Sequence, residues 1–492
     1  YHDKMQTVFL SKLSTIDIEF FDSPKQQDLL MQTRKDMDSI ETTYKGTVNL
    51  IIALVSALIS TVIISRLNII LTIAIFLSLL PSFFVKKKIQ KVNYEQEKEL
   101  NNIDRRVGYL SGLFGNRDVA QEMRLFSFSK KILADLQTIY HFRNDKKLRL
   151  QRKNTVLSLF SLIISGILNI CYNLYIIYIV IVNRLTVGDY NYYSTIAGNF
   201  KSNIEIILNN CSSIIINSER VLNYVNFMDL QPKIIGGEVE VPLHKNTIEF
   251  VDVTFIYPNT DRKVLDHLSF EIIDGEKIAL AGLNGAGKTT IIKLLLRYYD
   301  PTDGKILLNG VDIRDIDLEQ YRNLFSTTFQ NCINYLYSLR ENVSISNIED
   351  TSDDERILKL LNSSGLNVAQ EELSLQIGKE FDYNGVILST GQSQSLCIAR
   401  TFYRNSSIMI FDEPAASLDA SKEQILFDRI FSSNINDKTI ILISHRLSNL
   451  KNVDKIIYNY YLVKIGQAGE KMELSKKNIK KILQRGHRFG IG

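Results

Sequence analysis

Within AGLNGAGKTTIIKLL, Gly282, Gly287, Lys288 and Thr289 fill the pattern GxxxxGK[ST], with the apolar run KIALA ahead of it and a helix-like run behind. Glycines carry no Cβ, so backbone N–H groups there can close around phosphate oxygens. Lys288 would reach the β- and γ-phosphates and Thr289 would offer its hydroxyl to Mg²⁺. Asn284, Gly285 and Thr290 fall in the same cradle and are candidate nucleotide contacts. A second apolar run, in SSIMIFDEP, ends in the adjacent carboxylates Asp412 and Glu413. Asp412 suits holding Mg²⁺ through its water shell, and Glu413 suits polarising an attacking water. A third, KTIILIS, delivers His445, where an imidazole can contact a γ-phosphate. Residue types in this pattern suit hydrolysis of a phosphoanhydride.

A different feature occurs in VILSTGQSQSLCIARTFYRN, residues 386–405, where Ser389, Thr390, Gly391 and Gln392 open a helix-like run. The first N–H groups of a helix lack intrahelical partners and sit at the positive end of its dipole, which suits an anion. The same residues also suit an ordinary N-cap, with Ser389 or Thr390 accepting a backbone hydrogen bond.

The elements that must position these groups alternate. From Asn246 onward the short runs IEFVDVTFIY, KIALAG, KILLNG, IMIFDE and TIILIS are interleaved with helix-like segments, the pattern of an α/β domain with a largely parallel sheet. In such sheets ligands bind beyond the carboxyl ends of the strands, where Asp412, Glu413 and His445 would stand. The segment MDLQPKIIGGEVEVPLHK, with its Pro and Gly residues, reads as a linker.

The first half has another character. No charged residue lies between Lys45 and Arg66, between Arg66 and Lys86, or between Lys153 and Arg184, and each stretch is long and apolar enough to span a bilayer. A fourth span is expected over Tyr190–Asn217, interrupted by Lys201 and Glu205, which are placed to pair with each other at a helix contact or to line a substrate path. Lys86, Lys87, Lys88 and the group from Lys146 to Lys153 put one side in the cytoplasm. Between Val85 and Lys153, Ile103, Val107, Leu110 and Leu113 recur at helical spacing, so helices should project beyond the membrane, as an interaction arm or a solvated pair. The four cysteines show no disulfide or zinc spacing, and a formal charge of +4 gives no case for a nucleic-acid partner.

Taken together, the second half resembles the nucleotide-binding domain of ABC transporters, and the chain resembles an exporter-type half-transporter. The resemblance covers about Thr247–Ile457. It makes Tyr257 in FIYPN the aromatic that stacks on adenine, Gln330 in FSTTFQN the glutamine loop, and LSTGQ the signature. It makes AASLD, ending at Asp419, the D-loop and His445 the switch histidine. It implies ATP and Mg²⁺ as cofactors, with Glu413, His445 and Gln330 catalytic and Thr289, Gln330 and Asp412 serving the metal. It also implies a head-to-tail dimer in which Ser389, Gly391 and Gln392 cap the γ-phosphate of the partner's ATP. Thr390 replaces the family's commoner glycine and narrows that cap. FLSKLSTIDIEFFDSP and VAQEMRLFSFSKKI resemble the two cytoplasmic loops whose short helices seat on nucleotide domains.

The expected fold is an all-α transmembrane domain over 1–228, a linker over 229–246, an α/β P-loop NTPase domain over 247–466, and an atypical tail over 467–492. The resemblance implies spans three to six of a six-span unit, the chain opening at Tyr1 without the first two. The expected function is ATP-driven export by a dimer, multi-pass in the cell membrane with the ATPase in the cytoplasm. The partners would be a second half-transporter, the lipid bilayer and an exported substrate such as a bacteriocin-like peptide, a drug or a lipid. The alternatives are a non-transporting remnant that keeps the ATPase motifs, or a soluble ATPase acting on DNA, which the charge-free spans oppose.

Overall fold

The computed structural model describes residues 2–67, 69–241, 245–282, 285–349, 353–415, 420–431, 437–444, 453–458 and 473–474. They divide into two compact units, one of residues 1–14 and 27–230, the other of residues 15–26 and 231–492.

The first unit is helical. After α1 (His2–Thr15) come α3 (Pro24–Leu67), α4 (Ile69–Gly112), α5 (Arg117–Leu125), α6 (Ser129–Val182) and α7 (Val187–Met228). Each of α3, α4 and α6 joins a charge-free apolar run to a charged helical stretch without a break, and Pro81 is accommodated inside α4. The charge-free stretches expected to span lie within α3, α4 and α6, and the interrupted one lies within α7. Among the described residues, Pro24–Arg66 and Ser129–Val182 are long and apolar enough to cross a membrane, and only 6% of the most apolar window of the second is buried. A soluble core helix would hide that window. Here Leu159, Phe160, Ile163, Ile167 and Leu174 are exposed, the surface a lipid solvent requires.

Inside the unit, Ala57, Ile64, Ile75, Tyr172, Ile176, Val180, Ala197 and Phe200 form one core, and spacings of seven, four and three residues put the members from α3, α6 and α7 on one stripe of each of those helices. Lys201 and Glu205 are half-buried on α7 with no ion pair between them, so the pairing expected from their spacing is not made. Ser82–Ser161 (2.9 Å), Asn93–Asn154 (2.9 Å), Glu99–Lys146 (3.1 Å) and Asp104–Arg143 (3.0 Å) run α4 antiparallel to α6. Val107, Leu110 and Leu113 pack with Met123 of α5 and Ile132 and Leu136 of α6, which makes the apolar spacing of the charged stretch the seam of a helical pair. Asn116 caps α5 by accepting from Asp118 N and Val119 N.

The second unit holds a six-stranded sheet in the order β10-β9-β3-β8-β7-β6, built from β3 (Lys277–Ala281), β6 (Phe325–Thr328), β7 (Ile408–Asp412), β8 (Thr439–Ile443), β9 (Lys455–Tyr458) and β10 (Glu473–Leu474). All its neighbours are parallel except β10 against β9. Ile278, Leu280, Ile408, Ile410, Ile441 and Ile443 enter one core, while Ala279, Ala281, Met409, Phe411, Ile440 and Leu442 enter another. Both faces are covered, so these strands are apolar throughout.

The strands IEFVDVTFIY and KILLNG do not join that sheet. As β1 (Ile248–Ile256) and β4 (Asp303–Leu308) they form an antiparallel sheet, β2-β1-β4-β5, with β2 (Lys263–Ile272) and β5 (Val311–Asp312). Glu249 and Asp252 of β1 remain exposed while β3 is buried throughout, which distinguishes a sheet covered on one face from one covered on both. The helices are α8 (Lys288–Leu295), α9 (Leu318–Asn323), α10 (Leu339–Ser344), α11 (Asp354–Ser363), α12 (Thr390–Arg404) and α13 (Ala420–Ile430).

The short helix α2 (Ile18–Asp22) belongs to this second unit. Asp17 accepts from Lys233 N (2.6 Å) and Ile234 N (3.3 Å), Glu19 pairs with Lys233 Nζ (2.7 Å), and Asp22 accepts from Tyr299 Oη and pairs with Lys293 Nζ (3.5 Å). Burial, then the bond to Asp22, raises the Tyr299 phenol well above its ordinary range. The linker is docked as well: Gly237 N donates to Ile316 O (2.9 Å), and a Cβ at Gly237 would meet Asp315 O at 1.9 Å. Only glycine fits there.

Candidate nucleotide-binding site

The order β3-β8-β7-β6 brings the ends of four parallel strands to one edge. Beyond β3 the chain turns through Gly282, Gly285 (φ 80°) and Gly287 (φ 86°), the last being the N-cap of α8. Gly287 sits in a backbone region that disfavours side chains, and a Cβ there would also press on Leu265 Cδ2 (2.9 Å), so its φ favours the motif's glycine. Asn284 and His445 lie outside the described residues, as do the D-loop residues Ala416–Asp419.

Lys288 is buried at 9% exposure and donates from Nζ to Gly282 O (2.9 Å). Burial lowers the pKa of its ammonium, opposed by the nearby carboxylates of Glu413 and Asp412. Lys288, Asp412 and Glu413 are therefore electrostatic neighbours, though more than 120 residues separate the lysine from the acids. Thr289 is exposed at the start of α8, and buried Thr290 meets Tyr257 Oη (3.0 Å).

Asp412 closes β7 at 4% exposure. Glu413 follows in the left-handed region (φ 51°) with its N–H still bonded to Ile443 O (3.0 Å), so the backbone leaves the extended strand conformation at this residue. Gln330, just beyond β6, donates from Nε2 to Glu413 Oε2 (3.0 Å). Gln394, on α12, donates to Glu413 O (3.0 Å). Sequence spacing offers no signal for Gln394; only the packing of α12 against the sheet brings it there.

Tyr257 packs edge-on against Phe255 (4.9 Å) and Tyr299 (5.5 Å), with Lys293 Nζ over its ring (5.3 Å). It is half-buried beside α8, with Lys293 as a neighbour that the motif does not foretell.

At the signature, Ser389 is the N-cap of α12. Its hydroxyl accepts from Gln392 N (3.3 Å), and Gln392 Oε1 accepts from Ser389 N (2.9 Å). This reciprocal pair is a capping box. Within one chain Ser389 and Gln392 serve their own helix, while Thr390 is exposed and Gly391 half-buried at its first turn.

For a metal, Thr289, Gln330 and Asp412 supply oxygen only, the donor type Mg²⁺ takes. The Gln330 amide nitrogen is engaged by Glu413, which leaves its oxygen as the acceptor. Among the described residues no cluster of three His, Cys, Asp or Glu forms an all-protein cage, and Mg²⁺ in phosphate sites is held by one or two protein ligands plus phosphates and water. The residues fit the ion.

A family model described as ABC transporter matches residues 265–416. The subtilin transport ATP-binding protein SpaT of Bacillus subtilis is 28% identical over 470 residues, covering 92% of this chain and 75% of that protein. The nisin transport ATP-binding protein NisT of Lactococcus lactis is 27% identical, covering 78% of this chain and 65% of that protein. The mitochondrial iron-sulfur clusters transporter ATM1 of Candida glabrata is 37% identical over 211 residues, covering 43% of this chain and 29% of that protein. The chain thus spans three quarters of one of these relatives and less than two thirds of the other two. A solved bacterial Atm1-family ABC exporter with ATP bound shares the fold, with a TM-score of 0.81 at 20% identity over 100% of this chain and 84% of that one. With the phosphate-loop, acidic and signature residues inside or beside it, the segment 265–416 is an ABC transporter domain, and over most of its length the chain is similar to ABC exporters in sequence and shares their fold.

Proposed function

We propose that the chain is one half of a dimeric exporter in which ATP bound at the β3-β8-β7 edge is hydrolysed to drive a cargo across a membrane. One observation carries the reading. Lys288, Asp412, Glu413 and Gln330 meet at one sheet edge in a chain whose other unit exposes apolar faces along helices of up to 54 residues. In this reading residues 1–228 form the membrane part, 229–246 the linker, 247–466 the cytoplasmic ATPase and 467–492 a tail. Lys288 and the N–H groups of the glycine loop hold the phosphates. Thr289, Gln330 and Asp412 would hold Mg²⁺, which when bound neutralises phosphate charge. Glu413 takes the proton side of the attacking water, and His445 contacts the γ-phosphate. Ser389, Gly391 and Gln392 of the partner copy close the site.

Relatives matched over most of this chain are named for subtilin and nisin transport, which favours the bacteriocin-like cargo of the three expected. The test is uptake into lipid vesicles carrying the purified full chain with its ATPase outward. Subtilin or nisin should accumulate with ATP and not with ADP, and the accumulation should vanish in Glu413→Gln. ATP hydrolysis without ATP-dependent uptake of either compound or of a fluorescent lipid would sink export and leave an ATPase alone.

Tyr257 gives a second expectation. Tyr257→Ala should weaken ATP binding by about 1–3 kcal/mol through loss of a stacking face. Tyr257→Phe should lose only the contact with Thr290, about 0.5–1.5 kcal/mol. Titration calorimetry on the Mg-free protein reads both. An unchanged affinity in the Ala variant would make Tyr257 a packing residue between Phe255 and Tyr299.

A further inference from the structure

Cys332 lies two residues beyond Gln330, and Cys397 lies in α12, one turn beyond Gln394. Cys332 Sγ donates to Phe329 O (3.7 Å), and the two thiols are near enough for each to shift the other's ionisation. Arg400 binds both segments with one nitrogen: its Nη1 reaches Cys397 Sγ (3.9 Å) and Ile333 O (3.2 Å). Its guanidinium lies over the Tyr335 ring (5.2 Å), and Asn334 donates to Ser393 Oγ (2.6 Å). The stretch 332–335 is therefore clipped along α12 with its cysteine against the helix's cysteine, and the other two cysteines, Cys171 and Cys211, lie on α6 and α7.

We propose that Cys332 and Cys397 form a reversible disulfide under peroxide and that this bond restrains the glutamine loop against the signature helix. Adjacency is the first requirement of a disulfide and is already met. Cys397 is buried at 6% exposure, but Cys332 is half-buried and opens the pair to a small oxidant. The Arg400 guanidinium, 3.9 Å from Cys397 Sγ, favours the thiolate, the form that attacks peroxide.

The chemistry balances with hydrogen peroxide as the oxidant. The Cys397 thiolate attacks one peroxide oxygen and the O–O bond breaks. The departing hydroxide takes up the proton the thiol released and leaves as water, with Cys397 now a sulfenic acid. The Cys332 sulfur then attacks the Cys397 sulfur. The S–S bond forms, the S–O bond breaks, and the hydroxyl leaves with the Cys332 proton as a second water. Two thiols have given two electrons and two protons to one peroxide.

The consequence follows from what the two segments hold. Gln330 occupies Glu413 Oε2, and Gln394 holds Glu413 O. A covalent tie between the neighbours of these glutamines fixes both contacts, and a carboxylate oxygen kept on Gln330 is withheld from water. The cross-link itself does not depend on the export reading; its effect on turnover does.

The experiment treats the full chain in detergent with hydrogen peroxide, alkylates with N-ethylmaleimide, digests without reduction and reads the peptides by mass spectrometry. A Cys332–Cys397 linked peptide is expected, lighter by two hydrogens than its two parts, lost on dithiothreitol treatment and absent in Cys332→Ser. ATP turnover of the wild type should fall about tenfold on oxidation, the size of effect when a conformational step is blocked, and recover on reduction. Cys332→Ser should keep its turnover in peroxide. If both thiols remain alkylated by N-ethylmaleimide, or pair with Cys171 or Cys211 instead, the disulfide is overturned. If the linked peptide forms and turnover is unchanged, the restraint on the glutamine loop is overturned. A reduced wild type that hydrolyses no ATP would count against the ATPase reading, while the linked peptide would still decide the disulfide.

Discussion

Replacing Glu413 with Gln is expected to cut steady-state ATP turnover by about 10²–10⁴-fold, the range for loss of a positioned general base, while ATP still binds. The structure makes the substitution a clean one. Glu413 accepts from Gln330 Nε2 through Oε2, and an amide at 413 can offer an oxygen in the same place. The strained backbone of Glu413 (φ 51°), its N–H bond to Ile443 O and the bond from Gln394 to its carbonyl involve no carboxylate oxygen. Shape and main chain survive, and only the basicity is removed. Binding of a fluorescent ATP analogue and phosphate release, measured on the same preparation, should separate by that factor. Turnover within threefold of wild type would move the base elsewhere at the sheet edge.

The signature should act across two copies of the chain, and the capping box at Ser389 dictates how to show it. Ser389→Arg would spoil both a phosphate contact and the N-cap. Ser389→Asp keeps a good N-cap while placing a negative charge where the partner's γ-phosphate would lie. Its melting temperature should stay near that of wild type, and its vanadate-trapped nucleotide should fall to background. Lys288→Ala removes the Nζ that now rests on Gly282 O and should also trap nothing. Alone, each variant spoils both sites of a homodimer. Mixed, they place both lesions in one site and leave the other with an intact phosphate loop and an intact signature. Trapping should return to at most about half of wild type per mixed dimer, less where the two sites are coupled. Verified mixed dimers that trap no more than either variant alone, beside a wild type that traps well, would confine Ser389 to capping its own helix.

Several features of this protein were set by the local sequence. The loop at Gly282–Thr289 is one, because a turn that needs φ 86° at Gly287 strongly favours glycine. The acidic pair after IMIF is another, since an apolar run buried on both faces must lie inside a parallel sheet, and its first charged residues must emerge at the edge. The membrane-length portions of α3 and α6 follow from charge-free apolar length. Other features were decided by the tertiary structure alone. Apolar β1 and β4 read like the parallel strands but pair antiparallel, because pairing depends on partners that periodicity does not name. The second unit incorporates α2 through Asp17, Glu19 and Asp22, whose partners lie more than 200 residues away. Gln394 at Glu413, Thr290 at Tyr257 and Cys332 at Cys397 arise the same way. A motif records which groups the chemistry needs, whereas the contacts that hold those groups are made between distant segments and exist only once the sheet edge, α8 and α12 have packed.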